Sequence, residues 1–410
     1  MRLLAIAHPA QAQEELLRIG VDPKALPILL SKLTCLAIKL NHLPASTANI
    51  LKQTALALGA DCAIHRDVVR ARKRYSDALL IANRRQLQHL AARLQAQPPT
   101  ARALGSRLAQ LLENYPKTTL PLRISGQTFD LASRTYLAGI INVTPDSFSD
   151  GGQTFEPDMA VARGIQLVEQ GADFLDVGGE STRPGAQPVD AQTELARVLP
   201  VLRRLRRAVK VPISIDTTKS EVARRCLDQG ADIINDISGL RFDPKMARTI
   251  ARAKAACIIM HIKGRPRTMQ RRPSYRNLMT EIVDYFTRQV AYAQENGIPR
   301  DQIVIDPGIG FGKTLEHNLC LIRRLSEFRS LGLPIMLGPS RKSFIGMTLG
   351  LPVAQRLEGT IAASVLAIAH GANILRVHDI EQVRRAALMT DAILGAGRWT
   401  AEACPCPSLP

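Results

Sequence analysis

The chain has 410 residues, 46% of them hydrophobic, with 54 Lys and Arg against 36 Asp and Glu. That length and apolar content support a large core and two or three domains. No run reaches the ~18 apolar residues of a membrane-crossing helix, and the start MRLLAIAHPAQAQEE has too short an apolar stretch for a signal peptide, so the expected location is the cytoplasm. The net charge of +18 invites a nucleic-acid reading, but its distribution argues against one. Residues 1–133 hold 18 Lys and Arg against 8 Asp and Glu, with the basic residues concentrated in Arg66–Arg74 and Arg84-Arg85 and no stacking aromatics interleaved within either stretch. A solvated basic face is the simpler reading.

Residues 1–115 read as a small basic α/β domain. Leu33–Leu40 is strand-like, and Pro44–Leu58 has helical character with Ser46 or Thr47 as its cap. Ala78–Ile81 reads as a second strand. Arg84–Gln95 places Leu87, Leu90, Ala91 and Leu94 on one helical face, and a further helix is expected over Thr100–Asn114. Nothing here resembles a nucleotide fingerprint, a metal-ligand spacing or a catalytic pair, and the domain's role is left open. Residues 116–133, with Pro116, Pro121 and Gly126, form a linker or short hairpin. The seven cysteines are odd in number and scattered, the pattern of reduced thiols. Cys35, Cys62, Cys226, Cys257 and Cys320 are expected as small core residues. Cys404 and Cys406 have no other ligand cluster near them, in a tail over 396–410 that is expected to be flexible.

From residue 134 to 395 one grammar repeats. Tyr136–Asn142, Phe174–Val177, Val211–Ile215, Ile233–Ile237, Ala256–Met260, Gln302–Ile305, Leu333–Leu337 and Asn373–Val377 are apolar runs, each leading into polar or glycine-rich residues and then a helical segment. Such runs indicate parallel strands covered on both faces, and eight units in this length predict a closed (β/α)₈ TIM barrel. Reacting groups in that fold sit at the carboxyl ends of the strands. Here those ends carry Asn142, Glu180–Arg183, Asp216, Asn235, Met260-His261, Asp306, Arg341–Ser343 and Arg376–His378. Two carboxylates and an amide suit a heterocycle rich in N–H donors. Arg, Lys, His and Asn suit a phosphorylated group.

The motifs INVTPDSFSDGG, GGESTRPG, ISIDTTK, INDISG, MHIKGRPRTM, DPGIGFGK, SRKSFIG and RVHD resemble, in order and spacing, those of the dihydropteroate synthase family. The resemblance covers Arg134–Leu394. It implies condensation of a dihydropterin diphosphate with 4-aminobenzoate, a Mg²⁺ requirement, sensitivity to sulfonamides and a homodimer. By the same resemblance, Asn142 meets the diphosphate and its magnesium. Thr182, Arg183 and Pro184 line the diphosphate and aminobenzoate sites. Asp216, Asn235, Met260 and Asp306 hold the pterin. Lys342 reaches the pterin and Ser343 the aminobenzoate carboxylate, while Arg376 and His378 form an anion site at the helix beginning near Ile380. Lys342, Arg376 and His378 are the implied catalytic groups. The loop Thr144–Gly152, with Pro145 and Gly151-Gly152, has the composition of a mobile lid. Lys263 stands where the family more usually has glutamine, and Pro339 at a position the family varies, so loop five is expected to contact solvent or substrate differently. A pterin-dependent methyltransferase shares the carboxylate and amide set but needs no diphosphate site. A non-catalytic pterin- or RNA-binding protein is the other rival, distinguished by a salt-sensitive nucleic-acid complex.

Overall fold

Alternation of buried Val/Ile/Leu runs with amphipathic helices organises most of the chain. The computed structural model describes residues 2, 4, 9–115, 117–144, 157–182 and 185–395. It divides into two units, Met1–Pro116 and Lys117–Pro410. The expected lid Thr144–Gly152 beyond Thr144 itself, the pair Arg183 and Pro184, and the tail 396–410 with Cys404 and Cys406 lie outside the described residues.

The first unit runs α1 (Pro9–Ile19), α2 (Leu26–Leu33), β1 (Cys35–Pro44), α3 (Ala45–Leu56), β2 (Asp61–Ile64), α4 (Arg66–Val69), β3 (Tyr75–Asn83), α5 (Arg84–Leu94) and α6 (Pro99–Asn114). Its three strands pair antiparallel in the order β1-β3-β2. Ser76, Ala78, Leu80 and Ala82 alternate into the core, where Leu80 meets Leu51 of α3 and Leu87, Leu90 and Leu94 of α5. α5 starts in a capping box, Asn83 accepting from Gln86 N while the Gln86 side chain accepts from Asn83 N. Three sequence expectations change here. The first strand begins only at Cys35, because α2 occupies residues up to Leu33. Neither Ser46 nor Thr47 caps α3: Pro44 holds the cap position without a side-chain bond, and the buried Thr47 hydroxyl pairs with Thr100 at 2.9 Å. Cys35 is exposed and Cys320 half-buried, whereas Cys62, Cys226 and Cys257 are core residues as expected. Arg66 opens the four-residue α4, and it, Arg70, Arg72, Lys73 and Arg74 are all exposed.

The second unit opens with a hairpin, β4 (Pro121–Ile124) and β5 (Gln127–Asp130), followed by eight strand–helix repeats. These are β6 (Tyr136–Asn142) with α7 (Pro157–Glu169), β7 (Phe174–Gly178) with α8 (Ala191–Ala208), β8 (Ile213–Asp216) with α9 (Ser220–Leu227), and β9 (Ile233–Asp236) with α10 (Met246–Ala253). Then come β10 (Ala256–Met260) with α11 (Leu278–Glu295), β11 (Ile303–Asp306) with α12 (Leu315–Arg323), β12 (Met336–Leu337) with α13 (Ser343–Leu349) and α14 (Leu357–Ala369), and β13 (Ile374–Val377) with α15 (Ile380–Leu394). All neighbouring barrel strands are parallel, in the order β11-β10-β9-β8-β7-β6-β13-β12. A parallel bridge between Ile305 and Ile335 closes the ring. β12 is short because Pro334, which has no N–H, stands where the ladder would extend; its carbonyl still accepts from Ile305 N at 3.0 Å.

Strand residues alternate between two apolar layers. Leu175, Val177, Ile213, Ile215, Ile303 and Leu375 face outward onto the helices. Phe174, Ile233, Ala256, Val304 and Ile374 face inward and pack against Leu122, Ile124 and Leu131 of the hairpin region. The hairpin therefore fills the amino-terminal end of the barrel, which leaves the opposite mouth for polar groups.

Candidate active site

The inner apolar layer sets the position of the site. Two residues beyond Phe174, Ile233, Val304 and Ile374, on the same inward face, stand Asp176, Asn235, Asp306 and Arg376. Asp216 closes β8 directly beside Asn235 in the ladder. Five polar side chains from five strands thus share one end of a barrel whose other end is dry.

Arg376 is the centre of this group. Its Nε donates to Asp176 Oδ2 at 2.5 Å and its Nη2 to Asp216 Oδ2 at 3.0 Å. Asn235 Nδ2 donates to the same Asp176 oxygen at 3.1 Å. Asp176 was not among the sequence candidates, yet a signal existed: an acid inside the apolar run FLDVG, in step with inward Phe174, must be paired if buried. Among the described residues, four buried side-chain atoms lack a hydrogen-bond partner, and two of them, Asp176 Oδ1 and Asn235 Oδ1, belong to this cluster. Each is an acceptor whose desolvation costs about 1–3 kcal/mol until a donor arrives. The site is therefore built for a ligand edge carrying several N–H groups.

Asp306 closes β11 and accepts from Gly308 N at 2.7 Å, and burial raises its carboxyl above the ordinary range. Gly308 has φ +70°, and a Cβ there would lie 2.1 Å from His261 O, so only glycine lets this loop pass. Lys342 Nζ donates to Ile309 O at 2.5 Å and lies 4.8 Å from the centre of the Phe311 ring. Lys313, another residue the sequence did not single out, is buried and donates to His261 Nδ1 at 3.0 Å, His261 O at 3.3 Å and Phe311 O at 3.0 Å. It ties the loop after β10 to the loop after β11. Burial pushes both the Lys313 ammonium and the His261 imidazolium well below their ordinary ranges.

Two of these shifts straddle neutrality. Burial moves Asp216 up to about 7 against the pull of Arg376, and moves Lys342 down to about 8 against the pull of Asp306. Asp216 offers acceptors alone, with no O–H donor to oppose a ligand's N–H groups, only when ionised, and Lys342 is a cation only below its own value. kcat/KM for a ligand that needs both ionised groups is therefore expected to rise toward pH 7 and fall above pH 8, as a narrow bell measurable by initial rates. Stability follows the opposite rule. The raised Asp216 favours the fold most in acid, a contribution lost as pH rises through about 7, while the lowered Lys342 favours it in base, a contribution lost as pH falls through about 8. The ionisation state that binds is the one that costs the fold most.

The remaining candidates separate into different surroundings. Asn142 and His378 line a cavity of about 540 Å³ together with Arg163, Gln166 and Met159 of α7. His378 Nδ1 and Ser340 Oγ share a hydrogen bond of 2.9 Å, and Arg163 Nη2 donates to His378 O at 2.8 Å. The expected joint anion site of Arg376 and His378 is thus divided: Arg376 is committed to two carboxylates, and His378 faces the cavity with Asn142. At the N-cap of α15, Asp379 holds Arg341 through two hydrogen bonds instead of capping its own helix. Ser343 is exposed at the start of α13, Thr182 is half-buried after β7, and Met260 is buried with Ile237, Ile262 and Met269. Lys263 turns away toward α11, pairing with Glu281 at 3.0 Å and lying 4.1 Å over the Tyr275 ring. Its departure from the usual family residue is taken up by that ion pair. Among the described residues no group of three or more His, Cys, Asp or Glu gathers as a metal-binding cluster. A lone amide oxygen, Asn142, fits a magnesium held chiefly by phosphate oxygens.

With this geometry in place, comparison with known proteins is decisive. Residues 138–378 match the model of the pterin binding enzyme family. The dihydropteroate synthase of Synechocystis is 46% identical over 288 residues, covering 70% of this chain and 99% of the relative. The chain belongs to the dihydropteroate synthases. The family member from Escherichia coli K12 is 42% identical, covering 68% of this chain and 98% of its own length. Among solved structures, Yersinia pestis dihydropteroate synthase in complex with a sulfonamide drug superposes with a TM-score of 0.65 at 40% identity, covering 68% of this chain and all of that one. The Xanthomonas albilineans family member with 4-aminobenzoic acid has a TM-score of 0.63 at 40% identity, covering 67% and 98%.

Proposed function

We propose that this chain condenses 6-hydroxymethyl-7,8-dihydropterin diphosphate with 4-aminobenzoate, giving 7,8-dihydropteroate and diphosphate. The observation that carries the reading is the pair of buried, unpartnered acceptors Asp176 Oδ1 and Asn235 Oδ1 beside Asp216 and Asp306. A dihydropterin's aminopyrimidinone edge supplies the N–H donors this set lacks. In the reaction the C–O bond at the exocyclic carbon breaks, its electron pair leaving with the diphosphate. The aniline nitrogen forms the new C–N bond and sheds a proton to diphosphate or solvent. The residues act by position and charge. Asp176, Asp216 and Asp306 place negative charge beside the ring as positive charge spreads from the exocyclic carbon. Lys342 contacts the pterin, and Arg376 holds the first two carboxylates through its two hydrogen bonds. His378 and Asn142, with Arg163 behind His378, receive the diphosphate, and a magnesium held there would neutralise charge on the leaving group. Thr182, Arg183, Pro184 and Ser343 take the aminobenzoate. Released diphosphate and dihydropteroate, assayed together with Mg²⁺ present, test the reading; a folded sample that forms neither product removes it.

The same reading extends to assembly. Leu366 of α14 and Leu388, Met389 and Ile393 of α15 are exposed, an apolar surface suited to a second copy of this chain. Sedimentation of a single monomeric species would remove that proposal. No helix among the described residues is long and apolar enough to cross a membrane, and the five described cysteines are free thiols, which suits the reducing cytoplasm.

The family match leaves the first unit outside it. A chain beginning at Lys117 keeps the hairpin and every strand-end group, together with the Lys117 bond to Gly332 O. It is expected to fold and to retain turnover within about threefold of the full chain, since every strand-end group at the barrel mouth belongs to the second unit. A folded but inactive truncation would assign the first unit a part in the site or the assembly.

A further inference from the structure

Lys219 lies three residues beyond Asp216, at the N-cap of α9. Its ammonium donates to Glu180 Oε2 and, at 2.6 Å, to Glu194 Oε2. Glu180 belongs to the loop after β7, two residues before Thr182. Glu194 lies in the first turn of α8, fully buried, and its second oxygen has no partner. One cation therefore joins three segments: the end of β8 that carries Asp216, the loop that carries Thr182, and α8. None of the three residues belongs to the ring-binding cluster around Arg376.

The arrangement is costly unless it has a use. Burial raises the Glu194 carboxyl and works to lower the Lys219 ammonium, but the two carboxylates outweigh that and hold Lys219 above its ordinary value. Only one carboxylate is needed to neutralise Lys219, and buried Glu194 already does so. The second link, to Glu180, is made to a loop. The root of that loop is fixed separately, since Arg197 Nη1 donates to Gly179 O at 2.8 Å. What Lys219 adds is control of the loop from Glu180 onward.

We propose that Lys219 is a positioning residue for the aryl-amine half of the site, holding the Glu180–Thr182 segment in register with the end of β8 that meets the pterin. The idea rests on the synthase reading above. Glu180→Gln is the test variant, because it removes the charge from the loop link and weakens it while leaving Lys219 paired with buried Glu194, so the fold is spared. Its KM for 4-aminobenzoate should rise about tenfold while that for the pterin diphosphate stays within about twofold, a split that general loss of structure does not produce. Lys219→Met should show the same split with a lower Tm, Lys219→Arg should restore most of the parental KM, and adding Glu180→Gln to Lys219→Met should raise KM no further. A second readout needs no turnover: amide exchange over Glu180–Thr182 should quicken about tenfold in Glu180→Gln. Equal shifts in both KM values, no shift in either, or unchanged exchange would overturn the proposal. Absence of turnover in the parental protein would instead discard the synthase reading, with the exchange result still deciding whether Lys219 holds the loop.

Discussion

Replacing Arg376 with Met is expected to reduce turnover about a thousandfold and to destabilise the barrel by about 3–5 kcal/mol at pH 8, the usual cost of breaking a buried ion pair from one side. Two carboxylates depend on this guanidinium. The Asp176 side chain is 2% exposed and that of Asp216 11%, so water does little to replace the lost charge. Asp216, whose carboxyl burial already raises against the pull of Arg376, would then hold its proton at neutral pH, turning an acceptor into a donor that faces the donors of the pterin. The stability deficit should shrink in acid, because protonated carboxyls need no counter-charge. Urea titrations at pH 5 and pH 8, with diphosphate release measured alongside, check both parts. Parental turnover in this variant would mean that the Arg376 cluster lies outside the reacting site.

Asp306→Asn tests the opposite wall. A hydrogen bond to a charged acceptor contributes roughly 1.5–3 kcal/mol, so its loss should weaken pterin-diphosphate binding by about ten- to hundredfold. The amide also presents an N–H₂ to a ligand edge that is itself rich in donors, and turnover should fall further than affinity. The fold should persist, since the amide oxygen can still accept from Gly308 N, which Asp306 Oδ1 holds at 2.7 Å. Calorimetric titration of pterin diphosphate, together with an unchanged Tm, is the check. A variant that binds and turns over normally would reduce Asp306 to a loop cap.

Much of this protein was legible in its sequence, for a local reason. A parallel strand covered on both faces must be apolar throughout, so each barrel strand announces itself as a short Val/Ile/Leu run, and the residue closing it must lie at the mouth. Asn142, Asp216, Asn235 and Asp306 were found that way, and the motif order showed the family. Legibility failed where placement depends on partners far along the chain. Arg376 read as half of an anion site with His378. In the fold it bonds Asp216 and Asp176, 160 and 200 residues away in sequence. Asp176 sits unremarked inside the run Phe174–Val177, and only the inward face of β7 brings it to Arg376. Lys219 follows a motif that explains Asp216, and nothing in that motif says its ammonium reaches Glu180 and Glu194, 39 and 25 residues earlier. Lys263 signals a loop five that meets solvent or substrate differently, and only the fold shows that it pairs with Glu281. The sequence alone determined the barrel, its strand ends and its family, because hydrophobic periodicity and motif order are properties of neighbours. Only closure of the ring decided which charges pair, because a buried ion takes the counter-ion that strand register and barrel curvature bring within reach.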